Sequence, residues 1–395
     1  MARIPVIIFC PRDISGGAHN YWLNLIEEAG FFDVFDVSVV AQAAPSTAQV
    51  AAKLKPLGVQ VVTYIPDGQP TRLRRVIRHF SPFKTQNKCW RSEALYQELK
   101  RRRKAIVWFI LDGFFSIGWC ARAIDICKQN SAPFHLIVQH VHELIHFESE
   151  DICNIRYSQF ASANRVVFVS QRNLQSVEAG FGRRLGNSQI GVNGLTKKKF
   201  DLHWNLGKSH PPQVAGEAKI TNIARFSVEF KGQNLLFSAL NSDYFSHREW
   251  TCSFVGGGPD RWLIQRLANQ SAVLRRFKIS DRIDSVDKVL AGTDLFALPS
   301  YSEGMAFAMV EAAAACRPLL ATDVAGAAEI VKSEISGFLA PATTSNSVAM
   351  TLQDAFESRH KWPAMGIAAH EIAREHCCLD QYLTKVVQDN LSDFS

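Results

Sequence analysis

The stretch Leu298-Pro299-Ser300-Tyr301-Ser302-Glu303-Gly304-Met305-Ala306-Phe307-Ala308-Met309-Val310-Glu311-Ala312 decides how this chain is read. The apolar run Leu295 to Leu298 has the length and composition of a buried strand, and Met309 to Cys316 has the Ala-rich composition of a packed helix. Glu303 is therefore expected in a strand-to-helix loop. In an open α/β sheet such loops lie at the carboxyl edge of the strands, where ligands bind. Two glutamates at this spacing mean little alone, because charged residues ordinarily face water. The Leu-Pro-Ser before Glu303, the glycine after it and the apolar helix carrying Glu311 supply the context.

Working outward, strand-like runs alternate with helical stretches from the N-terminus. Ile4 to Phe9, Val37 to Val40, Val59 to Tyr64, Ile106 to Leu111, His135 to Val141 and Val166 to Val169 read as strands, with helical patterns at Tyr21 to Ala29, Thr47 to Leu54 and Ile152 to Ala163. That alternation predicts a doubly wound parallel sheet. A polar stretch from Asn193-Gly194 through Lys197-Lys198-Lys199 to Pro211-Pro212-Gln213 reads as an interdomain linker. The alternation then restarts with Ile220 to Ala224, Thr251 to Val255, Leu295 to Leu298 and Leu319 to Thr322. The expectation is an α/β chain of two Rossmann-like domains, residues 1-195 and 196-378.

Bulk properties agree with two domains. A chain of 395 residues at 47% hydrophobic content is long and apolar enough for two cores. The longest apolar runs, such as Ala105 to Leu111, are too short to span a bilayer. Ile4 to Cys10 has the length of a signal-peptide core, but Arg12, Asp13 and Gly16-Gly17 follow without a small-residue cleavage pattern, so it reads as a first strand. Nine cysteines contain no CxxC pair and suit a reducing cytosol. The net charge of +7 permits attraction to anionic membranes, nucleotide sugars or nucleic acid without selecting among them.

Further motifs carry chemistry. Arg225 and Lys231, in Ala224-Arg225-Phe226-Ser227-Val228-Glu229-Phe230-Lys231-Gly232, stand between a strand and a helix, where cations and unpaired helix N–H groups together attract an anion. Gly256-Gly257-Gly258-Pro259 follows a strand and would let backbone approach a ligand. A dinucleotide fingerprint would need a glycine at 261, which is Arg. Gly16 and Gly17 close the loop after the first strand and could offer backbone N–H groups to a ligand in the same way.

The stretch around Glu303 and Glu311 resembles the donor-site signature of the retaining GT-B glycosyltransferases of family 4, also called glycosyl transferases group 1. The match continues through Thr322-Asp323-Val324-Ala325-Gly326 and Glu329 to Gly337-Phe338-Leu339-Ala340-Pro341. The resemblance is strong from about Lys219 to Pro341 and weaker in the N-terminal half. It implies a GT-B fold, two domains facing across a cleft, with the last helix, within 379-395, crossing back to the first. It also implies a metal-independent hexosyltransferase-type enzyme that moves a sugar from a nucleotide-diphosphate donor to a hydroxyl acceptor.

By resemblance, Arg225 and Lys231 hold the donor diphosphate, although the gap between them is one residue longer than usual in the family. Glu303 and the backbone of Gly304, Met305, Ala306 and Phe307 hold the sugar of the donor, Glu311 takes the ribose hydroxyls, and Gly256 and Gly258 match the family's donor-side Gly-x-Gly-Pro loop. His142, followed by Glu143, matches a histidine that contacts the transferring sugar, with His140 as runner-up. No cofactor is implied beyond the nucleotide sugar, and no metal: Asp-x-Asp does not occur. The expected setting is cytoplasmic polysaccharide, lipopolysaccharide or glycolipid synthesis, with a glycan or lipid-linked acceptor.

Two other features compete. His142-Glu143-Leu144-Ile145-His146 spells the zinc-protease motif, which works only on a helix, and the β-branched and apolar residues upstream place it after a strand instead. Arg72, Arg74, Arg75, Arg78 and Lys84 surround Leu73, Val76, Ile77, Phe80 and Phe83, a pattern that suits an anionic membrane surface. A solvated helix face would read the same. Peripheral attachment at the inner face of the membrane therefore stays open. A nucleic-acid binder is an alternative of another class, but the aromatic signatures of single-strand readers are not evident and none is expected. A sugar-nucleotide epimerase or glycan phosphorylase would share the architecture.

Overall fold

The computed structural model describes residues 3–12, 14, 19–64, 91–271, 273–283 and 285–394. The chain divides into two compact units, Met1–Gly191 with Asp380–Ser395, and Val192–Leu379.

The first unit is built on seven parallel strands: β1 (Ile4–Phe9), β2 (Phe35–Gln42), β3 (Gln60–Tyr64), β4 (Ile106–Leu111), β5 (Phe134–Val138), β6 (Arg165–Phe168) and β7 (Ser188–Ile190). Their order is β3-β2-β1-β4-β5-β6-β7. Every residue of β4 is buried, as expected of a central strand covered on both faces. The second unit holds β8 (Ala218–Ile223), β9 (Trp250–Val255), β10 (Phe277–Ser280), β11 (Leu295–Leu298), β12 (Leu319–Thr322) and β13 (Gly337–Ala340), in the order β10-β9-β8-β11-β12-β13. Both are doubly wound Rossmann-like sheets, and the two together are the GT-B architecture. In each, the order reverses beside the first strand, between β1 and β4 and between β8 and β11. Ligands bind at such switch points because the connections diverge there and leave a crevice.

The strands that sequence reading passed over, β7, β10 and β13, all lie at sheet edges and have only three or four residues. Short edge strands carry a weak signal. A larger departure concerns the expected linker. Lys197–Ser209 is a helix of 13 residues. Thr196 caps it by accepting the Lys199 N–H at 3.2 Å, and Phe200, His203 and Gly207 form its buried face. Gly207 lies so close to the end of helix Phe307–Ala314 that an added Cβ would stand 2.6 Å from the Ala315 carbonyl oxygen. The lysine run at its start hid this amphipathic stripe.

Helix Leu379–Phe394 buries Leu379, Tyr382, Leu383, Val386 and Asn390, spaced as one helix face. From Tyr382 onward its polar groups reach the first unit's sheet. Asn390 Oδ1 accepts from Trp108 Nε1 at 3.0 Å, Asp389 Oδ2 accepts from Gln189 at 3.0 Å, and Asp393 pairs with both His135 and Arg165 at 2.8 Å. The helix therefore spans β4, β5, β6 and β7. Burial lowers the His135 pKa against the pull of Asp393, while the bonds from His135 and Arg165 lower that of Asp393 despite its burial.

Candidate active site

In the second unit, the loops after β8 and β11 flank the switch point, and Asn222 Nδ2 ties the strands together by donating to the Ala297 carbonyl at 2.8 Å. Arg225 follows β8 and is exposed. Gln233 Nε2 holds its carbonyl at 2.9 Å. Lys231 closes the short helix Val228–Lys231, after which Gly232 turns the chain at φ 59, a left-handed conformation that favours glycine. A side chain there would also strike the Pro299 carbonyl.

Across the switch point, Lys231 Nζ donates to Glu303 Oε1 at 2.6 Å, and Ser300 Oγ donates to the same oxygen at 2.7 Å. Glu303 is buried. Its carboxylate is satisfied by charged and neutral donors together, an arrangement that fixes its orientation. The Phe230 carbonyl accepts from the Tyr301 N–H at 2.8 Å and locks the two loops. The longer Arg-to-Lys gap thus still brings Lys231 onto Glu303.

Gly304 O accepts from the Gly326 N–H at 2.9 Å, and Met305 O from Asn193 Nδ2 at 2.9 Å. Helix Phe307–Ala314 follows, and no side chain caps its N-terminus. Its first N–H groups are thereby available to an anion. Glu311, on this helix, is partly buried. Burial pushes its carboxyl up to about 7, Lys199 opposes the shift, and Asp287 adds to it. Asp287 also bonds His203 Nε2 at 3.0 Å, and burial holds His203 below its usual value. Sequence reading had no access to Lys199 and Asp287 as neighbours of Glu311, since both come from helices distant in the chain.

Gly256 and Gly258 are confined by the chain's own backbone. An added Cβ would collide with the carbonyl oxygens of Ala224 and Phe226 respectively, so the close approach is to the chain's own backbone. It places the glycine loop directly against the Arg225 loop, with the Phe226 N–H donating to Gly257 O at 3.0 Å.

In the first unit, His140 and His142 follow β5, their ring centroids 5.0 Å apart, and His142 is exposed. The strand ends at Val138, short of the expected Val141. Residues 141–149 contain no helix, and Glu143 pairs with Arg172 Nε at 2.8 Å. The zinc-protease motif therefore lacks the helical face it needs. Among the described residues, no group of three or more His, Cys, Asp or Glu side chains gathers as a metal site would. Gly16, Gly17 and the basic segment Arg72 to Lys84 lie outside the described residues. No helix among the described residues is long and apolar enough to cross a membrane.

Residues 217–358 match the family model of the glycosyl transferases group 1. No curated protein sequence matches the chain. Among solved structures, the chain is similar to HepE from Anabaena in complex with UDP-glucose, with a TM-score of 0.73 and 18% identity over 98% of this chain and 99% of that one. It is similar to sucrose-phosphate synthase from Thermosynechococcus elongatus, with a TM-score of 0.75 and 15% identity over 100% and 99%. A glycosyltransferase from Rickettsia africae gives 0.72 and 14% over the full length of both chains. At these identities the likeness shows the fold.

Proposed function

We propose that this chain, with its GT-B fold and a second unit matching the glycosyl transferases group 1, is a glycosyltransferase that moves a sugar from a nucleotide-diphosphate donor to a hydroxyl acceptor with retention. The observation that carries the reading is the Lys231–Glu303 pair at the β8/β11 switch point, inside the matched segment and next to an uncapped helix N-terminus. Cations and N–H groups gathered at that edge suit a diphosphate, and the UDP-glucose in the similar HepE structure is a ligand of that class.

Arg225 and Lys231 offset the charge that develops on the diphosphate as the glycosidic bond breaks, so electrostatic stabilisation is the principal catalytic term. Glu303, oriented by Lys231 and Ser300, accepts hydroxyls of the transferring sugar. The backbone from Gly304 to Phe307 holds the sugar, the loop of Gly256 and Gly258, packed against the Arg225 loop, belongs to the donor-binding surface, and Glu311 takes the ribose hydroxyls. By the family resemblance alone, His142 is assigned to the transferring sugar, and Gly16 and Gly17 to the diphosphate or the sugar. The acceptor in this reading is a glycan or a lipid-linked molecule, and if it is lipid-linked the basic segment 72-84 is the part of the chain that would meet the anionic inner face of the membrane.

The test is nucleoside diphosphate release from UDP-, GDP- and ADP-sugars, with NMR of the product's anomeric carbon. Release should occur with one base and fall at least about a hundredfold in Arg225→Ala, the scale of losing one transition-state donor. No release from, and no binding of, any of these donors would end the proposal.

A further inference from the structure

The turn that carries Lys231 is held by a side chain that the donor reading does not use. Val228–Lys231 forms one turn of helix, the Lys231 N–H donating to the Ser227 carbonyl at 2.8 Å and the Gly232 N–H to the Val228 carbonyl at 3.0 Å. So short a helix does not hold itself, because a first turn fixes several residues for a single hydrogen bond. Ser227, at its start, supplies no side-chain cap. The Val228 N–H donates instead to Asp260 Oδ2 at 2.7 Å, 32 residues along the chain. At the other end of the turn, the Phe230 carbonyl accepts from the Tyr301 N–H at 2.8 Å and Lys231 meets Glu303.

Asp260 stands at the N-cap of helix Arg261–Gln270, where an aspartate ordinarily accepts an N–H from the first turn of its own helix. Its side chain makes no such bond. The carboxylate is turned to the Lys231 turn and forgoes the local cap. Its backbone is fixed against the same loop, the Asp260 N–H donating to the Phe226 carbonyl at 3.1 Å and the Phe226 N–H to the Gly257 carbonyl at 3.0 Å. Of these bonds only the one to Val228 uses a side chain. The connection from Arg225 to Lys231 is one residue longer than is usual in the family. A longer connection has more conformations to lose, so the place of Lys231 depends more on how the turn is fixed.

We infer that Asp260 is a positioning residue for Lys231: by holding the Val228 N–H it sets the helical turn at whose end Lys231 reaches Glu303 and, in the proposed reaction, the departing diphosphate. Its catalytic meaning rests on the glycosyltransferase reading, while the bond itself belongs to the second unit alone. A merely structural cap would support the fold without regard to Lys231.

Three variants test this. Asp260→Ala removes the acceptor, Asp260→Ser removes the carboxylate but keeps a good N-cap for helix Arg261–Gln270, and Asp260→Asn keeps an amide oxygen that can accept the Val228 N–H. In nucleoside diphosphate release from a donor that the wild type turns over, kcat should fall about tenfold in the alanine and serine variants with KM changed less than about twofold, because Lys231 acts mainly as charge develops. Asp260→Asn should recover most of the loss. In Lys231→Ala, with no ammonium left to position, adding Asp260→Ala should change kcat less than about twofold. Acylation of Lys231 by acetic anhydride, read by mass spectrometry against the exposed Lys219, should run about threefold faster in Asp260→Ala and Asp260→Ser, as the ammonium leaves Glu303 more often. Wild-type kcat in Asp260→Ser, or an equal loss with and without Lys231, would overturn the inference. If the wild type turns over none of the UDP-, GDP- and ADP-sugars, the proposed function fails and the acylation rates decide this inference alone, equal Lys231 rates in wild type and Asp260→Ser overturning it.

Discussion

Glu311 shows how one residue's surroundings reach function. Its carboxyl keeps a proton up to about pH 7, whereas an ordinary glutamate loses it near 4.5. Between those values the folded chain holds a proton that the unfolded chain has released, so this group's contribution to stability falls as pH rises through that window and is level above it. The ionised form then costs on the order of 3 kcal/mol. Glu311→Gln should therefore match wild-type stability near pH 4.5 and exceed it at pH 8 in urea titrations. A constant difference across the range would refute the burial account. Donor binding should move oppositely. If ribose hydroxyls need the ionised carboxylate, wild-type affinity for a nucleotide sugar rises through pH 7 by calorimetry, and Glu311→Gln shows no such rise.

At the scale of elements, two helices carry consequences. Helix Lys197–Ser209 is part of the second unit's packing, with Gly207 against the Ala315 and Cys316 end of the neighbouring helix. Gly207→Ala should cost about 1–3 kcal/mol, because neither backbone can give way without repacking. A loose linker would tolerate it or be stabilised, and thermal unfolding decides between them. Helix Leu379–Phe394 makes a contrasting polar attachment. Asp393→Asn removes the carboxylate shared by His135 and Arg165, leaving Arg165 only Asp389, and a loss of about 2 kcal/mol is expected by denaturant unfolding. All central strands and several helices, such as those near Tyr21, Thr47, Ile152 and Met309, were legible in the sequence, because continuous apolar runs and period-3.6 stripes are local signals. The helix at 197–209 was not, because three lysines at its start outweighed Phe200, His203 and Gly207 in a composition-based reading.

At the scale of the whole molecule, two units should answer separately to ligand and truncation. A nucleoside diphosphate that binds the second unit should raise its unfolding transition by about 2.7 kcal/mol at a hundredfold excess over the dissociation constant, leaving the first unit's unchanged. Removal of residues after Leu379 should do the reverse, lowering the first unit's stability through loss of the Asp389, Asn390 and Asp393 bonds. Calorimetry or protease protection reads both, and a ligand that protected the first unit alone would misplace the donor site. The sequence by itself determined that this is a two-sheet parallel α/β chain, that Arg225, Lys231 and Glu303 sit where strands give way to helices and that Glu311 lies on the helix that follows, since these facts are written in short windows. Only the tertiary structure decided which strands are neighbours. That choice depends on crossovers spanning tens of residues, and it brings Lys231 onto Glu303, Lys199 and Asp287 within electrostatic reach of Glu311, and Arg12 beside Asp112.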